Sequence, residues 1–243
     1  MKSLEQRREI CDRLGERYYP PPARREHQMR ETILALLPER GCFLDAGAGP
    51  WMGMARHVTS KARVAVAMDV QTMEPKMLAS GARGVMGDLR RIPFKESAFD
   101  VVSLRSVMEH LEDPPAAFRE IARVLRPGGW IVALTPSSWY FASIIGRVLP
   151  ERIGHRILGW VFGSTGMEHH EVFYRANTPR AVGRAAAAAG LRLVEARPCP
   201  HPPGYLKFSP ALYRMGVAYD RVAGLTPVTR VLQASFLYVL KKP

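Results

Sequence analysis

Cysteine is scarce in this sequence. The 243 residues include three cysteines, Cys11, Cys42 and Cys199, and no two of them have the C-x-x-C spacing of a zinc or redox motif. The wide spacing also gives no sign of a disulfide framework, and we expect no metal site. Cys42 lies in an apolar run, which predicts a core position.

Long hydrophobic runs are missing as well. No stretch reaches the roughly 18 uninterrupted apolar residues of a membrane-spanning helix. The first 19 residues alternate in charge and contain no apolar segment of the kind found in signal peptides. With 47% hydrophobic and 23% charged residues, the composition is typical of a folded soluble protein. We therefore expect a cytoplasmic protein that is long enough for one α/β core.

Acidic residues are depleted in the second half of the chain. The formal net charge is +13, and residues 136–243 hold fourteen Lys and Arg against five Asp and Glu. Such an excess favours phosphate-bearing partners, nucleic acid or an anionic membrane surface. A general preference for arginine on solvated faces is an equally weighted alternative. Because no RNA-binding module or Arg/Lys-rich run is present, nucleic acid is disfavoured as a substrate.

Short apolar runs alternate with helical patterns along the chain. This alternation predicts an α/β fold with a doubly wound, mostly parallel sheet and helices on both faces. We predict seven strands, at 41–47, 63–69, 82–86, 99–104, 129–135, 191–197 and 235–240. We predict helices at 4–17, 26–37, near 52–60, 72–79, 114–125, 178–189 and 209–223. The helix at 114–125 is expected to stop at a turn over Arg126–Gly129, because proline cannot continue a helix and glycine favours a turn.

The segment FLDAGAGPWMG (43–53) places a glycine-rich turn directly after the first predicted strand. Its glycines are Gly47 and Gly49, and the dinucleotide fingerprint G-x-G-x-x-G would need a third glycine where Met52 stands. Asp45, two residues before Gly47, would oppose a pyrophosphate. The turn is therefore predicted to hold a nucleoside that carries no phosphate.

Two further acids lie at or just after the ends of predicted strands. Asp69 ends the second strand, where a carboxylate can accept hydrogen bonds from both ribose hydroxyls, and Asp88 follows the third, where it could accept the adenine amino group. For either acid taken alone, a turn or helix-cap role is the alternative.

Five motifs carry a family resemblance. They are FLDAGAGP (43–50), AMD (67–69), GDLRRIPFKESAFDVV (87–102), SVMEHLEDP (106–114) and LRPGGWIVALTP (125–136). In this order they resemble the class I S-adenosylmethionine-dependent methyltransferases, over about residues 40–197. The resemblance implies a Rossmann-like fold, S-adenosyl-L-methionine as cofactor, and residues 103–106 beside its sulfonium. It also implies these cofactor-binding residues: Asp45, Ala46, Gly47, Ala48, Gly49, Trp51, Asp69, Val70, Asp88, Leu89, Leu104 and Arg105.

Trp51 departs from the family pattern, which often has a small residue or a third glycine near this position. An aromatic ring beside a sulfonium would gain cation–π energy on the order of 0.5–2 kcal/mol. A plain packing role is the alternative.

Few side chains could act as a base in methyl transfer, and we expect His110, His169, His170 and Tyr174 to be the catalytic candidates. His110 follows the fourth strand, and a structural loop histidine is its alternative reading. His169 and His170 are adjacent and would point to different sides of a helix or strand, so a metal pair is not expected. Tyr174 could orient a substrate oxygen.

An apolar, aromatic segment at 137–163, with Arg147, Arg152 and Arg156, is expected to form a lid over the substrate. It favours a small lipophilic or aromatic acceptor; a peripheral membrane contact through 137–163 and a homodimer face are the alternatives.

We expect a single methyltransferase domain over 1–243, with a helical extension (1–40), a cofactor-binding half (41–136), a helical lid (137–177) and a C-terminal half of the sheet (178–243). Alternative functions are a non-catalytic cofactor-binding regulator and a methyltransferase acting on nucleic acid.

Overall fold

The computed structural model describes residues 3–50, 52–74, 80–148 and 171–243. They group into two compact units. The first unit comprises the described parts of Met1–His27, Pro136–His170 and Pro198–Ser235. The second comprises the described parts of Gln28–Thr135, Glu171–Arg197 and Phe236–Pro243. The division into one domain of four segments stays a prediction.

Within the described residues the sheet has seven strands, as predicted. Its order is β3-β2-β1-β4-β5-β7-β6, and the neighbouring pairs among β1 to β5 are parallel. The predicted Rossmann-like fold is therefore confirmed, as a mixed sheet with helices. The strands are β1 Cys42–Ala46, β2 Val64–Asp69, β3 Arg83–Met86, β4 Phe99–Arg105, β5 Leu125–Pro136, β6 Arg192–Cys199 and β7 Ser235–Lys241.

Four of the six helices in the described residues begin at capping residues that the sequence supplies. Ser3 and Gln6 form a reciprocal capping box at the start of α1, while Asp113, Thr178 and Ser209 each accept a backbone N–H ahead of a proline-initiated helix. The helices are α1 Leu4–Tyr18, α2 Arg25–Leu36, α3 Pro114–Val124, α4 Phe141–Val148, α5 Pro179–Ala187 and α6 Pro210–Ala223.

Two sequence predictions need correction. The helix expected near 52–60 is wrong, because Met52 and Gly53 have positive φ and only the short 3-10 turn Ala55–His57 follows. The turn expected at Arg126–Gly129 is instead part of β5. Its backbone bonds to the end of the chain, with Gly128 N donating to the Lys242 oxygen and Lys242 N to the Gly129 oxygen, both at 3.0 Å. Of the helix expected at 72–79, residues 72–74 are not helical and 75–79 lie outside the described residues.

The core of the second unit lies on the faces of the sheet. Leu44, Val102 and Ile131 are completely buried, and α3 packs Phe118 and Ile121 into the same cluster. Burial of each such side chain stabilises the fold by about 1.5–3 kcal/mol. This packing makes the strands a rigid support for the residues at their carboxyl ends.

The first unit has a smaller core between α1 and α6, built from Cys11, Tyr19, Tyr213 and Val217. The two helices approach closely at Gly15, where a Cβ atom would lie 2.8 Å from the Tyr213 hydroxyl oxygen. A larger residue at this crossing would displace the Tyr213 side chain.

Candidate functional site

The glycine turn after β1 is attached to the end of β2. Gly47 N and Ala48 N both donate to the Met68 carbonyl oxygen, at 2.8 and 3.1 Å. Gly49 N donates to Oδ2 of Asp69 at 2.7 Å. Because β1 and β2 are parallel neighbours, their carboxyl ends lie at the same edge, and the turn and Asp69 form one structure there.

The two glycines of the turn have different surroundings. Both have positive φ, +76° at Gly47 and +67° at Gly49. A Cβ atom at Gly47 would lie 2.2 Å from Cγ2 of Val107, whereas a Cβ atom at Gly49 would meet nothing within 4 Å. Glycine at position 47 therefore allows close packing against Val107. At Gly49 the backbone is accessible and lies beside the Asp69 carboxylate. This open backbone fits the close approach of a nucleoside ligand.

The structure places the carboxylate of Asp45 beneath the turn. The side chain is completely buried; Oδ1 accepts the Ser103 hydroxyl at 2.6 Å, and Oδ2 accepts Met54 N at 2.5 Å and Ala55 N at 3.1 Å. Burial raises the pKa of Asp45, and these donors and the charge of Arg105 oppose that rise. Asp45 thus holds the chain around the turn from below.

Asp69 and Asp88 lie at the same edge of the sheet. Oδ1 of Asp69 accepts Gln71 N at 3.0 Å, and the Asp69 carbonyl accepts Gly87 N at 2.9 Å, which attaches the segment before Asp88 to β2. Asp88 accepts Arg90 N at 2.8 Å and its guanidinium at 2.6 and 2.9 Å, and these bonds lower the pKa of Asp88.

The remaining expected cofactor residues differ in exposure. Ala46 and Leu104 point into the core, so only their backbone could contact a ligand. Leu89 is partly buried against that core, Arg105 ends β4 half-buried, and Val70 is 58% exposed. Trp51, His169 and His170 lie outside the described residues.

The two described catalytic candidates, His110 and Tyr174, lie on segments that the structure joins. His110 Nδ1 is 2.7 Å from the carbonyl oxygen of Glu171. The carbonyl oxygen of Glu109 accepts both Phe173 N, at 2.8 Å, and Tyr174 N, at 3.1 Å. The loop after β4 and residues 171–174 thus form one hydrogen-bonded unit.

Sequence reasoning missed a group of buried polar side chains next to these hydrogen-bonded segments. The Thr135 hydroxyl donates to Oε2 of Glu109 at 2.8 Å, and Asn177 Nδ2 donates to Oγ1 of Thr135 at 2.5 Å. All three side chains are at most 4% exposed.

Further features of the described part of the chain concern metals and membranes. No three His, Cys, Asp or Glu side chains of that part come together in a way that could hold a metal ion. None of its helices combines the length and the hydropathy needed to cross a lipid bilayer.

Comparison with known proteins assigns the region that carries this site. Residues 44–133 match the family model described as "Methyltransferase domain". The demethylmenaquinone methyltransferase of Mycolicibacterium paratuberculosis is 43% identical over 80 residues, which cover 30% of this chain and 35% of that protein. The enzyme of the same name from Mycolicibacterium vanbaalenii is 34% identical over 107 residues, covering 43% of this chain and 42% of that one. The chain thus spans about a third to two fifths of the length of these relatives.

A solved structure agrees over most of the fold. The S-adenosylmethionine-dependent methyltransferase of Mesorhizobium loti superposes with a TM-score of 0.53 at 20% identity, and the match covers 87% of this chain and 96% of that one. At this identity the likeness establishes the fold alone. The family match is confined to residues 44–133, from β1 to β5, and over this region the chain is similar to methyltransferase domains.

Proposed function

We propose that this protein transfers a methyl group from S-adenosyl-L-methionine to a small lipophilic or aromatic acceptor. The observation that carries the proposal is the attachment of the glycine turn to Asp69. It sets an open backbone, at Gly49, next to a carboxylate at the carboxyl edge of a parallel sheet.

The residues of this edge suit an adenosyl ligand. Each carboxylate oxygen of Asp69 accepts one backbone N–H and keeps a second lone pair, which a ribose hydroxyl can use. Asp88 and Leu89 would frame the base, and the turn at 47–49 would lie along the methionine part. When bound, the cofactor supplies an electrophilic methyl group on a sulfonium.

The acceptor class is supported by two observations. The relatives that match this chain at 34–43% identity are named for demethylmenaquinone, a lipophilic acceptor, although the match spans a minor part of each protein. In the first unit, the insertion after β5 presents apolar side chains to solvent, with Trp139 56% exposed and Ile145 50% exposed. A quinol-like aromatic compound is the acceptor that we propose to test first.

His110 is the proposed base among the described residues. A hydrogen bond from Nδ1–H to the Glu171 carbonyl would fix the tautomer in which Nε2 is the basic nitrogen. Nε2 could then accept a proton from an acceptor hydroxyl. Tyr174, His169 and His170 remain proposed participants in orienting that acceptor, and Trp51 a proposed contact of the cofactor.

The replacement His110→Gln tests this role. It should lower kcat and kcat/KM at least tenfold, while leaving cofactor affinity within about twofold. Unchanged turnover in the variant would remove His110 from the mechanism.

Calorimetric titration tests the cofactor site. Wild-type protein is titrated with S-adenosylmethionine, S-adenosylhomocysteine and NAD, in parallel with Asp69→Ala and the control Asp12→Ala, which removes an exposed carboxylate on α1. We expect micromolar binding of the first two ligands, no binding of NAD, and a loss of about tenfold or more in Asp69→Ala alone. Absence of binding by the wild type would contradict the proposal, and binding without turnover on any acceptor would favour the regulatory alternative.

The remaining expectations, a cytoplasmic location, a membrane contact through 137–163 and a homodimer, stay proposals. Size-exclusion chromatography with light scattering measures the oligomeric state directly, and fractionation of cells measures the location.

A further inference from the structure

Helix α6 has an apolar outer face. Its buried side contains Tyr213 and Val217, which pack in the core of the first unit. On the opposite side, Ala211, Met215, Ala218 and Val222 are exposed and follow one another at intervals of four, three and four residues. This spacing aligns the four side chains on one stripe of an α-helix.

Further exposed apolar residues follow the end of the helix. Met215 is 66% and Val222 61% exposed, and Leu225 and Val228 in the following turn are 74% and 81% exposed. Single exposed apolar residues are common on protein surfaces, whereas a continuous row of large ones marks an interaction site. We call Met215, Val222, Leu225 and Val228 the α6 stripe.

Basic residues accompany the α6 stripe. Residues 198–235 contain four cationic side chains, Lys207, Arg214, Arg221 and Arg230, and a single acid, Asp220. Lys207 forms an ion pair with Asp12 of α1 at 2.5 Å, so the three arginines supply the positive charge of this segment. Asp220 is only 5% exposed and lies on the inner side of α6. The Arg221 guanidinium lies 4.6 Å from the centre of the Tyr18 ring, next to the stripe. The segment therefore presents apolar and positively charged groups to solvent and buries its one acid.

We propose that the α6 stripe docks on an anionic lipid surface. An apolar helical face flanked by arginines is the pattern of helices that lie in the plane of a membrane interface, with the arginines near lipid phosphates. A second copy of the chain fits less well, because pairing of the same face with itself would bring the arginines of both copies together. The site differs from residues 137–163, and docking requires neither cofactor nor acceptor, so its failure would leave the proposed activity untouched.

Co-sedimentation with vesicles tests this proposal. Wild-type protein is mixed with phosphatidylcholine vesicles, with and without phosphatidylglycerol, at low and high salt. We expect stronger binding to the anionic vesicles, weakened by salt. The triple variant M215Q/V222Q/L225Q should lose at least tenfold in vesicle affinity. The variant R214Q/R230Q should lose about fivefold per arginine on anionic vesicles only.

Controls separate docking from misfolding. Val194→Gln replaces a valine that is 48% exposed on β6 of the second unit, and it should bind vesicles like the wild type. Each variant must keep the circular dichroism melting curve and the cofactor affinity of the wild type. If wild-type protein fails to sediment with anionic vesicles, or the triple variant sediments equally well, the proposal is wrong. If the wild-type protein forms dimers without binding vesicles, and only the triple variant loses these dimers, the α6 stripe would instead be a contact with a second copy of the chain.

Discussion

Asn177 donates a hydrogen bond to Thr135 across a separation of 42 residues, at 2.5 Å, and both side chains are 1% exposed. Thr135 lies at the end of β5, just before the predicted lid, and Asn177 lies at the end of the predicted lid. The two ends of the predicted lid are therefore joined by this hydrogen bond. Glu109 stabilises the same junction, because its carboxylate accepts a hydrogen bond from the Thr135 hydroxyl.

Thr135→Val should remove this connection. The variant leaves the buried carboxylate of Glu109 and the Asn177 amide without the hydroxyl, and we expect the free energy of unfolding to fall by about 2–3 kcal/mol in urea denaturation. Thr72→Val, a similar replacement at an exposed threonine, should change it by less than about 0.5 kcal/mol. Equal effects of the two replacements would show that the buried network adds nothing to stability.

Gly47→Ala and Gly49→Ala should differ in kind. Both introduce a side chain at positive φ, which costs roughly 1 kcal/mol. Gly47→Ala should cost more, because its Cβ would overlap Val107, and should lower the melting temperature strongly. Gly49→Ala should fold with a small loss of stability yet bind S-adenosylhomocysteine at least tenfold more weakly. Retention of full affinity by Gly49→Ala would place the ligand elsewhere.

Asp45→Ala and Asp45→Asn test whether this carboxylate acts by holding the turn. Alanine leaves the Ser103 hydroxyl, Met54 N and Ala55 N without an acceptor, and each buried unpaired group costs about 1–3 kcal/mol. Asparagine should cost less, because its amide oxygen can accept the two N–H groups while the Ser103 hydroxyl turns to accept from its NH₂ group. Urea denaturation measures both, and an equal loss in the two variants would contradict this account.

Asp220→Asn should stabilise the protein at neutral pH. Burial raises the pKa of Asp220 from 3.8 to about 6, so the folded protein holds this proton more tightly than the unfolded chain. The wild type should therefore lose stability as pH rises from about 4 to about 6, by about 3 kcal/mol for a shift of this size.

Asparagine removes that loss, so the variant should gain over the wild type above pH 6 and lose its advantage near pH 4. Melting temperatures measured across this range, with the exposed Glu16→Gln as control, give the comparison. A difference that does not vary with pH would show that the Asp220 carboxyl is not responsible.

The pattern of the sequence determined the sheet, most helices and the position of the glycine turn. Strand and helix periodicities, helix caps such as Ser3 and Asp113, and the spacing of Gly47 and Gly49 are local properties, since each depends on neighbours within a few residues. The strands consequently fall within a few residues of their predicted bounds. The helix expected near 52–60 failed because the backbone there turns at positive φ and its amides bond to Asp45.

Tertiary structure alone decided what each acid does. Asp45, Asp69 and Asp88 look alike in the sequence, each at or after the end of a strand. Folding buries Asp45 under the turn, attaches Asp69 to Gly49 and pairs Asp88 with Arg90. Thr135 and Asn177 carry no local signal, because their partners come together only when β5 and the segment before α5 meet. Hydrogen bonds between residues far apart in the chain depend on the arrangement of the strands, and a pattern with a period of two or 3.6 residues contains no information about them.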